Sequence, residues 1–317
     1  MRLRFAPPLA LALSFALAFA AGPARAADKL TVVLDWFVNP DHAALVVAQE
    51  KGFFADAGLE VELIAPADPN DPPKLVAADK ADLAVSYQPQ LTLQAAEGLP
   101  LVRIGTLVDT PLNSVVVLAD GPVKSIADLK GRKVGFSVGG FEDAVLGAML
   151  EKAGLKLSDV ELINVNFSLS PSILSGQVDA VIGAFRNFEL NQMELEKRPG
   201  RAFFPEEEGV PAYDELILVA NKAHLDDARL PRFLDAIERA SLFIANHPEE
   251  GWWLFVKNHA DLKDELNQRA WADTVPRLSM SPAALNAGRY ARFGEFLKSR
   301  GLLKDVPAVE SYTAVIR

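Results

Sequence analysis

The chain has 317 residues, a formal net charge of −10 and no cysteine. An acidic chain with no basic tract is unsuited to nucleic acid, where neutralised phosphates supply most of the affinity. The lack of cysteine excludes disulfides, thiolate metal sites and cysteine nucleophiles, and 50% hydrophobic against 23% charged residues is the balance of a globular protein long enough for two lobes.

Arg2 and Arg4 precede an apolar run, Leu9 to Ala21, and Ala24-Arg25-Ala26 has the small-x-small pattern that signal peptidase needs. Residues 1–26 therefore read as a signal peptide cut after Ala26. Loss of Arg2, Arg4 and Arg25 takes the formal charge from −10 to −13 and leaves a mature chain of residues 27–317. No later segment reaches about 18 apolar residues, so no membrane span is expected after cleavage. With no cysteine at the cleavage point there is no lipid anchor either, and a bacterial periplasm fits best.

The first mature element is an apolar run, Leu30 to Leu34, that reads as a buried strand, and Ala43 to Lys51 reads as a helix. Between them lies Asp35-Trp36-Phe37-Val38-Asn39-Pro40-Asp41-His42, with Pro40 fixing φ and Asp41 available as helix N-cap. In an open α/β sheet a turn after a strand's carboxyl end lies beside the ligand crevice.

A weak internal repeat organises the chain beyond that helix. Gly58-Leu59-Glu60-Val61 is echoed by Gly154-Leu155 and then Asp159-Val160-Glu161-Leu162, and Ala81-Asp82-Leu83-Ala84-Val85 by Val178-Asp179-Ala180-Val181-Ile182. The two echoes share an offset of 96 to 97 residues, so the chain reads as two copies of one βαβαβ plan. Four strand ends result: Asp35 to His42, Ser86 to Gln90, Ser137 to Asp143 after Lys133–Phe136, and Gly183 to Glu189 after Ala180–Ile182. All four mix aromatics with amides or carboxylates, as a small-molecule cleft between two lobes requires.

Asn113 to Leu118 and Glu215 to Ala220 are extended apolar runs that bracket the second copy and read as two hinge strands. The division is then 27–112 with 221–317 for the first lobe and 113–220 for the second. From Pro231 to Leu303 the pattern is helical, with Phe233, Ile237, Ala240 and Ile244 on one face packing back on the first lobe. Trp252, Trp253 and Trp271 read as buried anchors, Asp68 to Pro73 as a surface excursion, Glu206 to Glu208 as a solvated loop and Gly139-Gly140 as a tight turn without the lysine of a P-loop.

Leu34-Asp35-Trp36-Phe37, Asn39-Pro40, His42, Ala48-Gln49-Glu50-Lys51-Gly52-Phe53-Phe54 and the Gly183 to Glu189 segment together resemble the substrate-binding proteins of ABC importers for thiamine pyrimidine precursors such as formylaminopyrimidine. That group includes the fungal pyrimidine synthase of thiamine biosynthesis and sits in a wider set of sulfonate, nitrate and taurine binders. The resemblance spans nearly the whole mature chain. It implies an α/β type II periplasmic-binding-protein fold, two lobes closing on a pyrimidine, and an ABC permease and ATPase as partners of a monomeric binder.

The chemistry of the strand ends agrees with such a solute. A flat aminopyrimidine gains from stacking, which Trp36, Tyr87, Phe141 and Phe185 can supply. Its ring nitrogens accept and its exocyclic amine donates, so Glu189 with Asn187 on one side and Asn39 with His42 on the other are the candidate polar contacts, with Asp35 and Gln88 beside them. A sulfonate, nitrate or phosphate would ask for Arg, Lys or helix-start N–H groups, and Arg186 is the only such side chain in the four segments. Another small solute remains the alternative ligand. An enzyme like the fungal synthases is disfavoured because their cysteine-rich segment has no counterpart, the four histidines show no i, i+4 ligand pair, and no Gly-x-Ser-x-Gly elbow is present. Neither a catalytic residue, a metal nor a cofactor is expected.

Overall fold

The computed structural model describes residues 26–316, so the signal-peptide reading of residues 1–26 lies, Ala26 apart, outside the described residues. Among the described residues ten strands form in chain order: β1 (Asp28–Val33), β2 (Leu59–Ile64), β3 (Leu83–Ser86), β4 (Leu101–Val108), β5 (Asn113–Leu118), β6 (Lys133–Phe136), β7 (Glu161–Asn164), β8 (Ala180–Phe185), β9 (Gly200–Phe203) and β10 (Leu216–Asn221). They make two five-stranded sheets, β2-β1-β3-β10-β4 and β7-β6-β8-β5-β9. β3, β4 and β10 are short runs rich in Val, Ile and Leu and buried throughout, the pattern of strands covered on both faces.

The repeat is real in space. β2, β1 and β3 pair in parallel, and so do β7, β6 and β8 in the same order. Asp82 and Asp179, the repeated acids, do the same work in each copy. Asp82 accepts from the Thr31 N–H at 2.8 Å and pairs with Arg229, while Asp179 accepts from the Lys133 N–H at 3.0 Å and pairs with Arg132. Each acid thus fixes the start of a central strand to the strand beside it.

The fourth strand of each sheet enters antiparallel, β10 between β3 and β4, and β5 between β8 and β9. This corrects the expected boundary: Leu216–Asn221 is a central strand of the first sheet rather than part of the second lobe. The segments that cross between sheets are residues 109–112 and 204–215. They are bound to each other, because the buried Glu215 carboxylate accepts from the N–H groups of Leu112 at 2.6 Å and Asn113 at 2.9 Å.

The helical tail covers the first sheet as expected. Phe233, Ile237, Ala240 and Ile244 are buried along helix Arg229–Asn246, and Phe233 stacks on Phe54 at 5.3 Å. Trp252 and Trp271 are buried, whereas Trp253 is exposed with Lys263 over its ring, a correction to the expected anchor. Among the described residues no helix is long and apolar enough to cross a membrane.

Candidate functional site

The turn after β1 is shaped by its own side chains. Asn39, in extended conformation, accepts from the Asp41 N–H at 2.8 Å and caps a short helix, Pro40–His42, that runs into helix Ala43–Glu50. The cap is therefore Asn39, not Asp41 as the sequence suggested. His42 Nδ1 accepts from the Asn39 N–H at 3.3 Å, which leaves Nε2 to carry the proton and donate to Asp35 Oδ1 at 2.8 Å. The Tyr87 hydroxyl, arriving from the end of β3, donates to Asp35 Oδ2 at 2.8 Å. Burial and the adjacent Asp35 push the Tyr87 phenol well above its ordinary pKa, so it stays a neutral donor.

The second sheet supplies the facing wall. Helix Phe141–Lys152 brings Phe141 and Glu142, and the end of β8 brings Gly183 and Phe185 and then Phe188 and Glu189. Phe141 stacks on Tyr87 at 5.1 Å with ring planes 25° apart, and Phe185 stands edge-on to Tyr87 at 6.5 Å. Glu189 accepts from the Phe185 N–H at 2.6 Å, and Glu142 from the Ser137 N–H at 2.7 Å. The cavity so enclosed is lined by Asp35, Trp36, Asn39, Asp41 and Tyr87 from one lobe and by Phe141, Glu142, Leu169, Gly183, Phe185, Phe188 and Glu189 from the other.

Four of the buried carboxyl groups in this region are held toward their neutral forms. Burial pushes Glu142 and Glu189 up to about 8, Glu215 in the crossing segment to about 7, and Asp41 to about 6. No lysine or arginine lines the cavity among the described residues. Arg186, the one cation of the four segments, is drawn away: it pairs with Glu206 at 2.6 Å, donates to the carbonyls of Leu112 and Asn113 in the crossing, and lies over Phe204.

Seven sequence-derived candidates thus line the cavity: Asp35, Trp36, Asn39, Tyr87, Phe141, Phe185 and Glu189. Three do not. His42 is fully buried behind Asp35 and orients it. Gln88 faces the crossing segment, accepting from the Asp214 N–H at 2.8 Å while its own N–H donates to the Asp214 carbonyl at 3.3 Å. Asn187 bridges the lobes instead, donating to Asp41 at 2.6 Å and to Thr274 at 2.7 Å. Asp41, Glu142, Gly183 and Phe188 also line the cavity from within the segments read from sequence, and an acid just inside a helix after a strand end is signal enough for the first two. Leu169 carried no signal.

A model of the family described as NMT1/THI5 like matches residues 39–251. The "Putative thiamine biosynthesis protein" of Haemophilus influenzae is 59% identical over 295 residues, 93% of this chain and 94% of that protein. The chain belongs to the NMT1/THI5-like family. Another relative of this NMT1/THI5-like chain, the formylaminopyrimidine-binding protein of Halalkalibacterium halodurans, is 37% identical over 247 residues, 77% of this chain and 73% of its own. Among solved structures, the alkanesulfonate-binding protein of Xanthomonas axonopodis pv. citri bound to MOPS superposes with a TM-score of 0.72 at 14% identity, covering 90% of this chain and 98% of that one. A Candida albicans protein described as having the generic periplasmic binding protein fold gives 0.71 at 16% identity, with 92% and 97% covered. At these identities the likeness is one of fold, and that fold is the two-lobed type II architecture.

Proposed function

We propose that this chain is the exported solute-binding component of an ABC importer and that it captures a thiamine pyrimidine precursor, an aminopyrimidine of the formylaminopyrimidine kind, between its two lobes. The observation that carries the reading is the lining itself: aromatic rings with buried Asp35, Asp41, Glu142 and Glu189, and no lysine or arginine among them. Such a surface favours a flat ring that brings N–H donors or positive charge and offers no cation to a sulfonate or nitrate. The 37% identical relative is named for binding formylaminopyrimidine, which supports the same solute class.

Binding rather than catalysis is favoured because relatives named as pyrimidine phosphate synthases are only 26–29% identical, and this chain has no cysteine to match the fungal enzymes' cysteine-rich segment. Closure would then be the mechanism. Trp36 and Tyr87 on one lobe and Phe185 and Glu189 on the other hold opposite faces and edges of the ring, and the closed form presents both lobes together to a permease. Calorimetry on residues 27–317 tests this: formylaminopyrimidine should bind in the micromolar range or tighter while taurine, alkanesulfonates and nitrate give no heat. Binding of a sulfonate in place of the pyrimidine would overturn the solute class.

A further inference from the structure

The turn between β6 and helix Phe141–Lys152 has the makings of an anion cradle. Gly139 and Gly140 follow a strand end, Gly140 has φ of +81°, and the helix beyond is 12 residues long, an arrangement that gathers backbone N–H groups at one spot. In this chain three donors of that turn are already engaged. The Ser137 N–H donates to Glu142 Oε2 at 2.7 Å, and the Val138 N–H adds to the hold on the same carboxyl group. The Gly139 N–H donates to Asn70 Oδ1 at 3.0 Å.

Asn70 belongs to the opposite lobe. The stretch Asp68 to Pro73, expected as a surface excursion, instead reaches over the cleft. Its Asn70 amide also donates to the Ser137 carbonyl at 3.1 Å, while Asp68 holds Asn70 through the Asn70 N–H at 2.8 Å and Nδ2 at 2.9 Å. Glu142 is 4% exposed and lines the cavity. Its place depends on Gly183, which has φ of +97° and where a Cβ would stand 2.6 Å from the Glu142 carboxyl carbon.

We propose that Glu142 and Asn70 are specificity-determining residues that close the cleft to phosphorylated and sulfonated solutes, because they hold with the protein's own oxygens three backbone donors of this turn, those of Ser137, Val138 and Gly139, that an anionic group would otherwise use. A phosphate arriving at that end of the cavity meets carboxyl oxygen where it requires N–H, and no cation in the lining compensates. The inference rests on the cleft being the ligand site. It narrows the solute to a pyrimidine without a phosphate ester.

Inorganic phosphate and methanesulfonate are the probes, with thermal melting and calorimetry on residues 27–317. Neither should bind the wild type. Glu142→Ala frees the Ser137 and Val138 N–H groups and should raise phosphate affinity by about tenfold or more, whereas Glu142→Gln keeps an oxygen on them and should stay close to wild type. A folded Glu142→Ala with no gain, or a gain as large in Glu142→Gln, overturns the proposal. If Glu142→Ala does not fold, Asn70→Ala decides: it frees the exposed Gly139 N–H, and absence of any gain in phosphate affinity overturns the proposal equally. The same proteins are titrated with 4-amino-5-hydroxymethyl-2-methylpyrimidine and its phosphate ester. Wild type should prefer the alcohol by about a hundredfold, and equal affinity for the two overturns the proposal. If neither compound binds while phosphate behaves as stated, the pyrimidine reading falls and the anion filter stands.

Discussion

Asn187 Nδ2 donates to Asp41 Oδ1 at 2.6 Å, joining the end of β8 in the second sheet to the turn after β1 in the first. The same amide donates to Thr274 on helix Glu265–Thr274, so one side chain of the second lobe is held by two elements packed on the first. A contact of this kind exists only when the lobes are together, so its free energy belongs to closure. Asn187→Ala should weaken ligand binding by about tenfold or more, mostly through faster release, since a hydrogen bond to a carboxylate is worth about 1.5–3 kcal/mol. Stopped-flow binding checks this, and unchanged release would show that the bridge does not hold the closed form.

Glu189 lines the cavity with one oxygen committed to the Phe185 N–H. If its other oxygen receives a ligand N–H, Glu189→Gln should cost about 1.5–3 kcal/mol of pyrimidine affinity while leaving the melting temperature nearly unchanged, because the amide oxygen can still accept from Phe185. Wild-type affinity in a folded Glu189→Gln would remove Glu189 from the ligand contacts.

Asp41, Glu215, Glu142 and Glu189 titrate at about 6, 7, 8 and 8 because burial disfavours their ionised forms. For an acid whose pKa is raised on folding, the folded chain binds the proton more tightly than the unfolded one. The stabilisation is therefore complete below the ordinary carboxylate range, about pH 4, and is lost as pH rises through 6 to 8. The ligand-free protein should melt at lower temperature at pH 8.5 than at pH 6. A ligand that donates to these groups favours their ionised forms, so its affinity should rise across the same window with release of protons. Calorimetry in two buffers of different ionisation heat measures that release; a flat melting profile together with no proton release contradicts the assignment.

Gly183→Ala tests how tightly the cavity wall is built. At φ of +97° a side chain is strained by about 1–3 kcal/mol before contact with Glu142 is counted. The variant should lose at least that stability, read from denaturant unfolding, and should bind ligand less well as the Glu142 carboxyl group is displaced. Wild-type stability would mean that the wall yields.

The fold was legible where a pattern repeats. The shared offset that links Asp82 to Asp179 reflects a physical requirement met twice, an acid just before a central strand holding an N–H of the strand beside it. The cleft was legible because strand ends carry Trp36, Tyr87, Phe141 and Phe185 in a sheet protein whose apolar residues otherwise go inside. Long-range partners were not. Asn187 looks like a ligand amide until Asp41, 146 residues earlier, is seen to take it. Asp68 to Pro73 has the composition of any exposed loop, and nothing local shows that Asn70 reaches Ser137 and Gly139. An apolar run such as Leu216 to Ala220 has the same signature in either sheet, so its placement between β3 and β4 depends on topology that periodicity does not encode.

That placement sets an order of assembly. All five strands of the second sheet lie between residues 113 and 203, a single uninterrupted stretch, whereas the first sheet lacks a central strand until residues 216–221 are available. As the chain emerges from its N-terminus, the lobe that begins first is the one completed last. Until then β3 and β4 have no strand between them, so the early half waits, unclosed, for the later half to be made.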